Sequence, residues 1–383
     1  MHPWVAEAAE WIARPARRHL EALVAVSSPS GDVHAAEECA AVCAALLPEY
    51  ATVERIACSS PDHADDLLAT VRGTGDRRIL LLGHLDTVIA HGDHRPLADG
   101  EPGQLVGSGT VDMKGGVVLA LGVLRALAQR PELYAEAAIL LVVDEEWRTA
   151  PFAHAGRFAG WDACLCFEAG ELTPDGAEGV IVRRKAAGTV RVTAHGRSAH
   201  SGSAPDRGRN ALLALATAAQ LIAACHDPRG EDRRSAVPTV MRSGDAFNVV
   251  PAHGELFGDV RADRDEAIHA VLDAIPAEVA DVRLDTQLIR LWPGMDAREA
   301  TAGMLARASD ALGRPIRGVS RGGASDASHL ATTVALTVDG LGPRGGMAHN
   351  PGEFVLEASL RSRAEVALAI ALAALQDAPV SRP

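Results

Sequence analysis

The first half of the chain alternates short, wholly apolar segments with longer segments of helical character. Three apolar runs, at residues 79–83, 137–143 and 163–167, are typical of strands that are buried on both faces of a sheet. Residues 117–127, between the first two runs, have the length and composition of an apolar helix. Because strands and helices alternate in this way, we predict an α/β fold with a mostly parallel sheet covered by helices.

From about residue 183 the pattern indicates a second, smaller domain. Strand, helix, strand, strand, helix and strand follow one another at residues 185–194, 210–225, 237–242, 253–261, 265–275 and 282–291. This order is the split β-α-β arrangement of α+β domains. We therefore predict an inserted α+β domain at residues 183–292, between two parts of a larger domain at residues 1–182 and 293–383.

The larger domain is predicted to contain further elements on both sides of the insertion. They are helices at 4–25, 33–47 and 297–312, strands at 52–56, 67–72 and 334–338, and a final helix from residue 357. Pro15 is expected to disturb the first helix, because proline lacks the backbone N–H and clashes with the preceding turn.

Composition and charge exclude several classes of protein. The chain has 383 residues, of which 48% are hydrophobic, which is sufficient for the cores of two domains. Its net charge of −13 argues against nucleic acid or an anionic membrane as a partner. We find no secretory signal, no apolar run of membrane-spanning length and no Cys-x-x-Cys pair among the six cysteines. We therefore expect a soluble cytoplasmic protein with buried free thiols.

Histidine and carboxylate side chains occur where the predicted elements end. They are His84, Asp112, Glu145, Glu146, Glu168 and His349. Open α/β sheets bind their ligands at the carboxyl ends of the strands. Carboxylates gathered there repel one another unless cations neutralise them. Two histidines and three carboxylates suit two zinc-like ions that share one bridging carboxylate.

The adjacent Glu145 and Glu146 have two interpretations. Consecutive side chains at a strand end point in different directions, so one carboxylate can bind metal while its neighbour stays free as a general base. The alternative is an exposed acidic pair on the surface. Asp86, two residues after His84, is predicted to accept the second N–H of that imidazole and to fix its tautomer.

Three motifs carry a resemblance to a known family. They are His84-Leu-Asp-Thr-Val, Gly107-Ser-Gly-Thr-Val-Asp112-Met-Lys-Gly-Gly and Asp144-Glu-Glu, in that order. With these motifs the chain resembles the co-catalytic zinc carboxypeptidase and deacylase family. That family includes glutamate carboxypeptidase, acetylornithine deacetylase, succinyl-diaminopimelate desuccinylase and aminoacylase. The segment from Asp339 to Glu353 is most similar to the glutamate carboxypeptidase branch.

The resemblance implies a set of metal ligands. Asp112 would bridge two divalent metal ions, for which zinc is expected and cobalt and manganese are alternatives. His84 and Glu146 would complete one metal site, and Glu168 and His349 would complete the other.

The resemblance also implies a mechanism of amide hydrolysis. Glu145 would take a proton from the attacking water molecule and return it to the leaving amine, and Asp86 would orient His84. His200, on a loop of the inserted domain, would reach the active site of a partner subunit and stabilise the oxyanion. The inserted domain would then serve as a lid and dimerisation domain of a homodimer. The alternative for His200 is a solvated loop residue.

The substrate implied by the resemblance is a peptide or an N-acyl amino acid with a free α-carboxylate. Asn248 and Arg261 match positions that hold this carboxylate, and Gly323 is assigned to the same substrate-binding set. Arginine suits the task because its planar fork binds a carboxylate in a bidentate manner. An exposed strand arginine is the alternative for Arg261. Carboxypeptidase and deacylase activities both remain open.

One segment departs from the family pattern. Glu146 is followed by Trp147-Arg-Thr-Ala-Pro151, where the family has a small Gly-Ser turn. A bulky, cationic segment beside the metals could reshape the pocket. This departure leaves the preferred acyl group or peptide side chain open.

Two other classes of protein compete with this interpretation. The segment Gly318-Val-Ser320-Arg-Gly322 matches the nucleophile elbow of serine hydrolases, and Asp339 and His349 follow in the order of their triad. However, the residues before Ser320 are polar and include Pro315, and the clustered carboxylates would have no function. A non-catalytic relative that binds peptides would lack a metal ligand, and none of the predicted ligands is missing.

Overall fold

The computed structural model describes residues 1–376 of the chain. It divides into two compact units. Unit 1 comprises Met1–Arg183, Asp296–Ser320 and the chain from Ser325 onward, and unit 2 comprises Arg184–Met295 and Arg321–Ala324. Each unit buries a hydrophobic core of its own.

The elements alternate along the chain much as the hydrophobic pattern predicts. The described helices are α1 (Pro3–Val24), α2 (Val33–Ala44), α3 (Gly115–Leu127), α4 (Ala211–Ala224), α5 (Asp265–Asp273), α6 (Arg298–Leu312), α7 (Ala327–Ala331) and α8 (Glu357–Leu375). The described strands are β1 (Thr52–Ile56), β2 (Asp66–Arg72), β3 (Arg78–His84), β4 (Ala98–Asp99), β5 (Gln104–Val106), β6 (Glu136–Val142), β7 (Ala163–Cys166), β8 (Glu171–Leu172), β9 (Glu178–Arg184), β10 (Ala186–His195), β11 (Ser235–Ser243), β12 (His253–Ala262), β13 (Glu278–Val279), β14 (Val282–Trp292), β15 (Met295–Asp296), β16 (Ile316–Arg321), β17 (Leu336–Val338), β18 (Gly345–Gly346) and β19 (Phe354–Leu356).

The main sheet of unit 1 has six strands in the order β1-β2-β6-β3-β7-β17. The strands β6, β3, β7 and β17 run parallel to one another, whereas β2 pairs antiparallel with both β1 and β6. The prediction of a mostly parallel sheet is therefore confirmed. The strands β3 and β6 are buried along nearly their whole length because they carry apolar side chains on both faces.

Helices α1, α3 and α8 pack against one another in unit 1. Gly116 of α3 approaches Phe167 so closely that a Cβ there would lie 1.9 Å from the carbonyl oxygen of Phe167. Helix α1 is continuous through Pro15, contrary to the predicted disturbance. The buried side chains of Ile12 and Leu20 hold this helix on both sides of the proline, and their packing offsets its cost.

Two strands differ from the sequence-based prediction because their composition is not typical of buried strands. Strand β9 begins with an apolar segment and ends in two arginines, Arg183 and Arg184. The sequence pattern indicated a change of domain at this position. Strand β16 contains two arginines and is largely exposed. Both belong to a small sheet, in which β9 is buried along nearly its whole length, whereas pairing with neighbouring backbone stabilises β16 rather than burial of its side chains.

Another small sheet of unit 1 joins two distant segments of the chain. Strand β19 pairs antiparallel with β5, which places Phe354 opposite Val106. The loop before β19 contains His349, and the segment after β5 contains Asp112. This pairing therefore brings together two residues that lie far apart in the sequence.

Unit 2 has an antiparallel sheet with the strand order β11-β12-β10-β14-β13. Helices α4 and α5 pack on this sheet, and Leu215 and Ile268 enter its core. Apart from the two-residue strand β13 between α5 and β14, the chain order β10-α4-β11-β12-α5-β14 is that of the predicted split β-α-β domain. None of the helices within residues 1–376 combines the length and the apolar composition that crossing a bilayer requires.

Candidate active site

Three neighbouring strands of the main sheet lead into groups that can bind metal. His84 is the last residue of β3, Glu145 and Glu146 follow β6, and Glu168 follows β7. In the sheet, β3 lies between β6 and β7, and the three strands are parallel. Their carboxyl ends therefore bring these side chains to one edge of the sheet.

Asp112 lies at the centre of this group. Its Oδ1 atom is 3.1 Å from His84 Nε2, and its Oδ2 atom is 3.1 Å from His349 Nε2. The two imidazoles thus contact different oxygens of the same carboxylate. This arrangement is the one expected for a carboxylate that bridges two metal ions.

The other two carboxylates divide between the two histidines. Glu168 Oε1 is 3.7 Å from His84 Nε2, and Glu146 Oε2 is 3.2 Å from His349 Nε2. The ligand atoms of His84, Asp112 and Glu168 lie within 4.8 Å of one another, and so do those of Asp112, Glu146 and His349. The predicted pairing of His84 with Glu146, and of Glu168 with His349, is therefore wrong. The loop before β19 places His349 beside Glu146 instead.

The two clusters fit divalent cations. Glu146 Oε1 is buried and has no hydrogen-bond partner within residues 1–376. A buried carboxylate oxygen without a partner is costly unless a cation neutralises it. Imidazole nitrogens and carboxylate oxygens are ligands that zinc, cobalt and manganese accept.

The histidines of the clusters are strongly coupled to the carboxylates. Hydrogen bonds with Asp112 and Glu146 raise the pKa of His349 to about 10. For His84, burial opposes the charged imidazole, but hydrogen bonds with Asp112 and Asp86 outweigh burial and raise its pKa well above the usual value. Because metals bind the neutral imidazole, metal binding must displace these protons.

Asp86 contacts the turn that carries both glutamates. Its carboxylate accepts hydrogen bonds from the backbone N–H groups of Glu145 and Glu146, each at 3.1 Å, and from the Ser30 hydroxyl at 2.7 Å. The His84 Nδ1 atom is 3.0 Å from the backbone oxygen of Asp86 and 3.4 Å from its Oδ1. The backbone carbonyl is thus the nearer acceptor for the imidazole, and the carboxylate contacts both the imidazole and the Glu145–Glu146 turn.

Glu145 lies beside the two clusters without belonging to either of them. Burial raises its pKa well above the usual value. The positive charge of His84 opposes this shift, whereas the negative charges of Asp326, Glu168 and Glu146 reinforce it. A carboxylate with a raised pKa is suited to accept a proton near neutral pH.

Glu353 is a buried residue of the site that the sequence did not reveal. Its carboxylate accepts hydrogen bonds from the backbone N–H groups of Gly109 at 2.9 Å, Val111 at 2.7 Å and Asp112 at 2.9 Å. Burial raises the pKa of Glu353 to about 7, although these three amides oppose the shift. The sequence shows an acidic residue four positions after His349. Its hydrogen-bond partners lie 241 to 244 residues earlier in the chain, so a local pattern does not reveal them.

His200 lies in an exposed loop of unit 2. Its Nδ1 atom accepts hydrogen bonds from the backbone N–H groups of Gly202 at 3.1 Å and Ser203 at 3.2 Å. Because Nδ1 acts as an acceptor, the neutral imidazole carries its proton on Nε2. The ring is therefore oriented by the backbone of its own loop.

The predicted substrate-binding residues also lie in unit 2. Arg261 is on β12, and its Nε atom is 3.2 Å from Asp259 Oδ2. Asn248 is exposed in the loop between β11 and β12. The carbonyl oxygen of Gly323 accepts a hydrogen bond from Arg184 Nη1 at 2.6 Å.

Ser320 is not placed as a nucleophile elbow requires. It is exposed and lies within β16, whereas an elbow places the serine in a sharp turn between a strand and a helix. The Nε2 atom of His349 contacts Asp112 and Glu146. The serine hydrolase interpretation is therefore not supported by the local backbone.

The mostly parallel sheet and the two ligand clusters at its edge define the class of protein, which is a metallohydrolase. A model of the family described as "Peptidase family M20/M25/M40" matches residues 80–373. Because the match covers most of the chain, this protein belongs to that peptidase family. The resemblance inferred from the motifs is thereby confirmed.

Relatives in sequence and in structure agree with this assignment. Carboxypeptidase G2 of Pseudomonas sp. (strain RS-16) is 26% identical over 365 residues, which cover 88% of this chain and 83% of that protein. Succinyl-diaminopimelate desuccinylase of Methylorubrum extorquens (strain PA1) is 29% identical over 339 residues, which cover 81% of this chain and 86% of that protein. A solved dinuclear metal-binding peptidase of the M20 family from Bacillus subtilis shares the fold, with a TM-score of 0.70 at 16% identity over 96% of this chain and 99% of that one.

Proposed function

We propose that this protein hydrolyses the amide bond of a peptide or N-acyl amino acid with a free α-carboxylate, as a glutamate carboxypeptidase does. The observation that carries this proposal is the position of Asp112 between two ligand clusters, with Glu145 beside them. The relatives named carboxypeptidase G2 and succinyl-diaminopimelate desuccinylase support this substrate class. Deacylation of N-acyl amino acids, including desuccinylation, is the alternative within the same chemistry.

Two divalent ions, with zinc the expected metal, would be held by the two clusters that share Asp112. When bound, the ions would lower the pKa of a water molecule and polarise the substrate carbonyl. His84 and Glu168 would hold one ion, and Glu146 and His349 would hold the other.

Other residues of the chain would move the proton and hold the substrate. Glu145 would accept the proton of the attacking water and pass it to the leaving amine, and Asp86 would hold the turn on which Glu145 lies. The His200 Nε2–H group would donate to the oxyanion in the active site of the partner subunit. Arg261 and Asn248 would hold the α-carboxylate of the substrate.

Amine release from a panel of N-acyl amino acids and short peptides is expected to depend on metal. Treatment with a strong chelator should lower the rate by about 100-fold or more, because metal ions stabilise developing charge by several kcal/mol. Adding back zinc, cobalt or manganese in turn should restore the rate to different degrees and identify the most active metal. The released amine is measured with an amine-reactive fluorophore.

The Ser320→Ala variant is the control for this experiment, and it is expected to retain full activity. Fastest release from acidic amino acids would favour the glutamate carboxypeptidase branch over deacylation. Release that is insensitive to the chelator but lost in Ser320→Ala would overturn the proposal in favour of a serine hydrolase.

The inserted domain is proposed to form a homodimer, and its surface supports this. Strand β11 is an edge strand of the sheet in unit 2. Large apolar side chains are exposed on β11 and on the neighbouring helix α4, namely Leu212, Leu213, Val237, Val240 and Met241. A long, apolar edge strand is a surface that proteins usually cover. We therefore expect twice the monomer mass in solution by light scattering.

Val240→Lys is expected to shift the mass of the protein to that of a monomer, because it places a charge on the apolar edge strand. Val53→Lys is the matched control, since Val53 is also exposed on an edge strand, β1, but lies in unit 1. A strictly monomeric wild-type protein would remove His200 from the proposed mechanism. A dimer that Val240→Lys leaves intact would place the interface elsewhere.

The cysteines support the proposed cytoplasmic location. The chain has six free thiols, of which Cys39, Cys43, Cys164 and Cys166 are buried. Disulfides are frequent in secreted proteins and rare in the cytosol, where thiols are kept reduced.

A further inference from the structure

Arg148 follows the metal-binding turn in the segment that departs from the family pattern, and it is buried. Its side chain is 1% exposed. The guanidinium donates hydrogen bonds to Asp144 from Nε at 3.1 Å and from Nη2 at 2.7 Å. It also donates to Asp326 from Nη2 at 2.8 Å and from Nη1. The sequence suggested that this positive charge would lie in the pocket, but it is buried and paired with Asp144 and Asp326.

Arg148 and its partner Asp144 also contact other residues. Its guanidinium lies over the ring of Phe152 at 4.9 Å, and that ring stacks on His329 at 5.0 Å between centroids. Asp144 also accepts hydrogen bonds from Ser60, from the backbone N–H at 3.0 Å and from the hydroxyl at 2.7 Å. Arg148 therefore joins the turn after β6 to the residues around the start of α7.

The turn from residue 144 to residue 148 is thus held at two places. The Asp86 carboxylate accepts hydrogen bonds from the backbone N–H groups of Glu145 and Glu146. Arg148 connects Asp144, which precedes these glutamates, to Asp326, which is 178 residues from Arg148 along the chain. The planar guanidinium meets two carboxylates in fixed directions, which a flexible lysine ammonium does not.

We propose that Arg148 is a positioning residue that fixes the Glu145–Glu146 turn against the segment that begins at Ser325. Its guanidinium binds Asp144 and Asp326, which are not among the proposed metal ligands, and it acts through the turn on which Glu145 and Glu146 lie. The inference rests on the proposed function for its effect on turnover, but its effect on metal affinity does not depend on which substrate is cleaved. Groups that orient metal ligands in this indirect way typically change metal affinity or activity by about 10- to 100-fold when they are altered.

The test uses Arg148→Lys in the full-length protein, with Arg77→Lys as the matched control. Arg77 is also a buried arginine paired with an aspartate, since its Nη1 is 2.8 Å from Asp162 Oδ1, but it precedes the amino end of β3, at the opposite end of that strand from His84. Zinc affinity is measured by calorimetry, kcat and KM are measured separately, and melting temperature is recorded. Arg148→Lys is expected to weaken one of two zinc sites about 10-fold and to lower kcat about 10-fold with little change in KM. Arg77→Lys is expected to lower the melting temperature alone.

A second variant distinguishes a positioning role from simple unfolding of Arg148→Lys. Arg148→Met combined with Asp326→Asn keeps the net charge of the buried cluster unchanged, and such replacements of buried ion pairs are often tolerated. This double variant is expected to fold, with the same losses in zinc affinity and kcat as Arg148→Lys. Unchanged zinc affinity and kcat in both variants, with only the melting temperature lowered, would overturn the inference. Loss of zinc affinity in a protein whose wild type cleaves no tested substrate would support the positioning role and count against the proposed function instead.

Discussion

Glu145→Gln is expected to lower kcat by about 100- to 10,000-fold while both metal ions stay bound. Glutamine has nearly the same shape as glutamate but cannot accept the proton of the attacking water, and general acid–base catalysis is typically worth this factor. Glu145→Ala should behave in the same way. The kinetic constants are measured with the best substrate of the panel, and the bound metal is measured by elemental analysis.

Glu146→Gln is the control for this prediction, because it changes the adjacent carboxylate in the same way. Glu146 belongs to the cluster with Asp112 and His349, so its replacement is expected to reduce the amount of bound metal. Activity near the wild-type rate in Glu145→Gln would exclude Glu145 as the general base. Loss of metal from Glu145→Gln would assign it to the ligands instead.

Glu353→Ala is expected to lower the free energy of unfolding by about 3 kcal/mol or more. The substitution leaves the buried backbone N–H groups of Gly109, Val111 and Asp112 without their acceptor, and each such loss costs about 1–3 kcal/mol. Because these amides belong to the loop of Asp112, metal affinity should fall as well. Urea unfolding of the metal-free protein gives the stability, and calorimetry gives the metal affinity.

Glu357→Ala is the matched control for Glu353→Ala. Glu357 lies four residues later, in the first turn of α8, and its contact with Arg17 is exposed to solvent at 3.6 Å. An exposed ion pair of this kind contributes less than about 1 kcal/mol. Equal stability of the two variants would show that the three hydrogen bonds of Glu353 are not important for the fold.

The positions of the proposed metal ligands could be predicted from local sequence. His84, Glu146 and Glu168 each follow a short apolar strand, and the ends of neighbouring parallel strands meet at one edge of the sheet. The pairing of these ligands could not be predicted, because it depends on distances between loops. His349 reaches Glu146 rather than Glu168 because the strand β19, which follows its loop, pairs with β5.

The contacts of polar side chains could not be predicted from the sequence either. Arg148 has the composition of a solvent-exposed cation next to the site, yet its side chain is buried between Asp144 and Asp326. Asp86 was expected to bind His84 with its carboxylate, which lies 3.4 Å from His84 Nδ1, but the sequence did not indicate that the same carboxylate also holds the backbone of the Glu145–Glu146 turn. A side chain chooses its partners from groups that the fold brings near, and these groups are separated by many residues in the chain.

The sequence by itself determined the alternation of strands and helices, the split β-α-β order of the insertion and the residue types available for metal chemistry. These features depend on periodicity and on short motifs, which are local. Only the tertiary structure decided which histidine shares Asp112 with which glutamate, and which groups hold the Glu145–Glu146 turn. Those contacts join residues up to 244 positions apart, as between Glu353 and Gly109, and their geometry exists only after the strands have paired and the loops have packed.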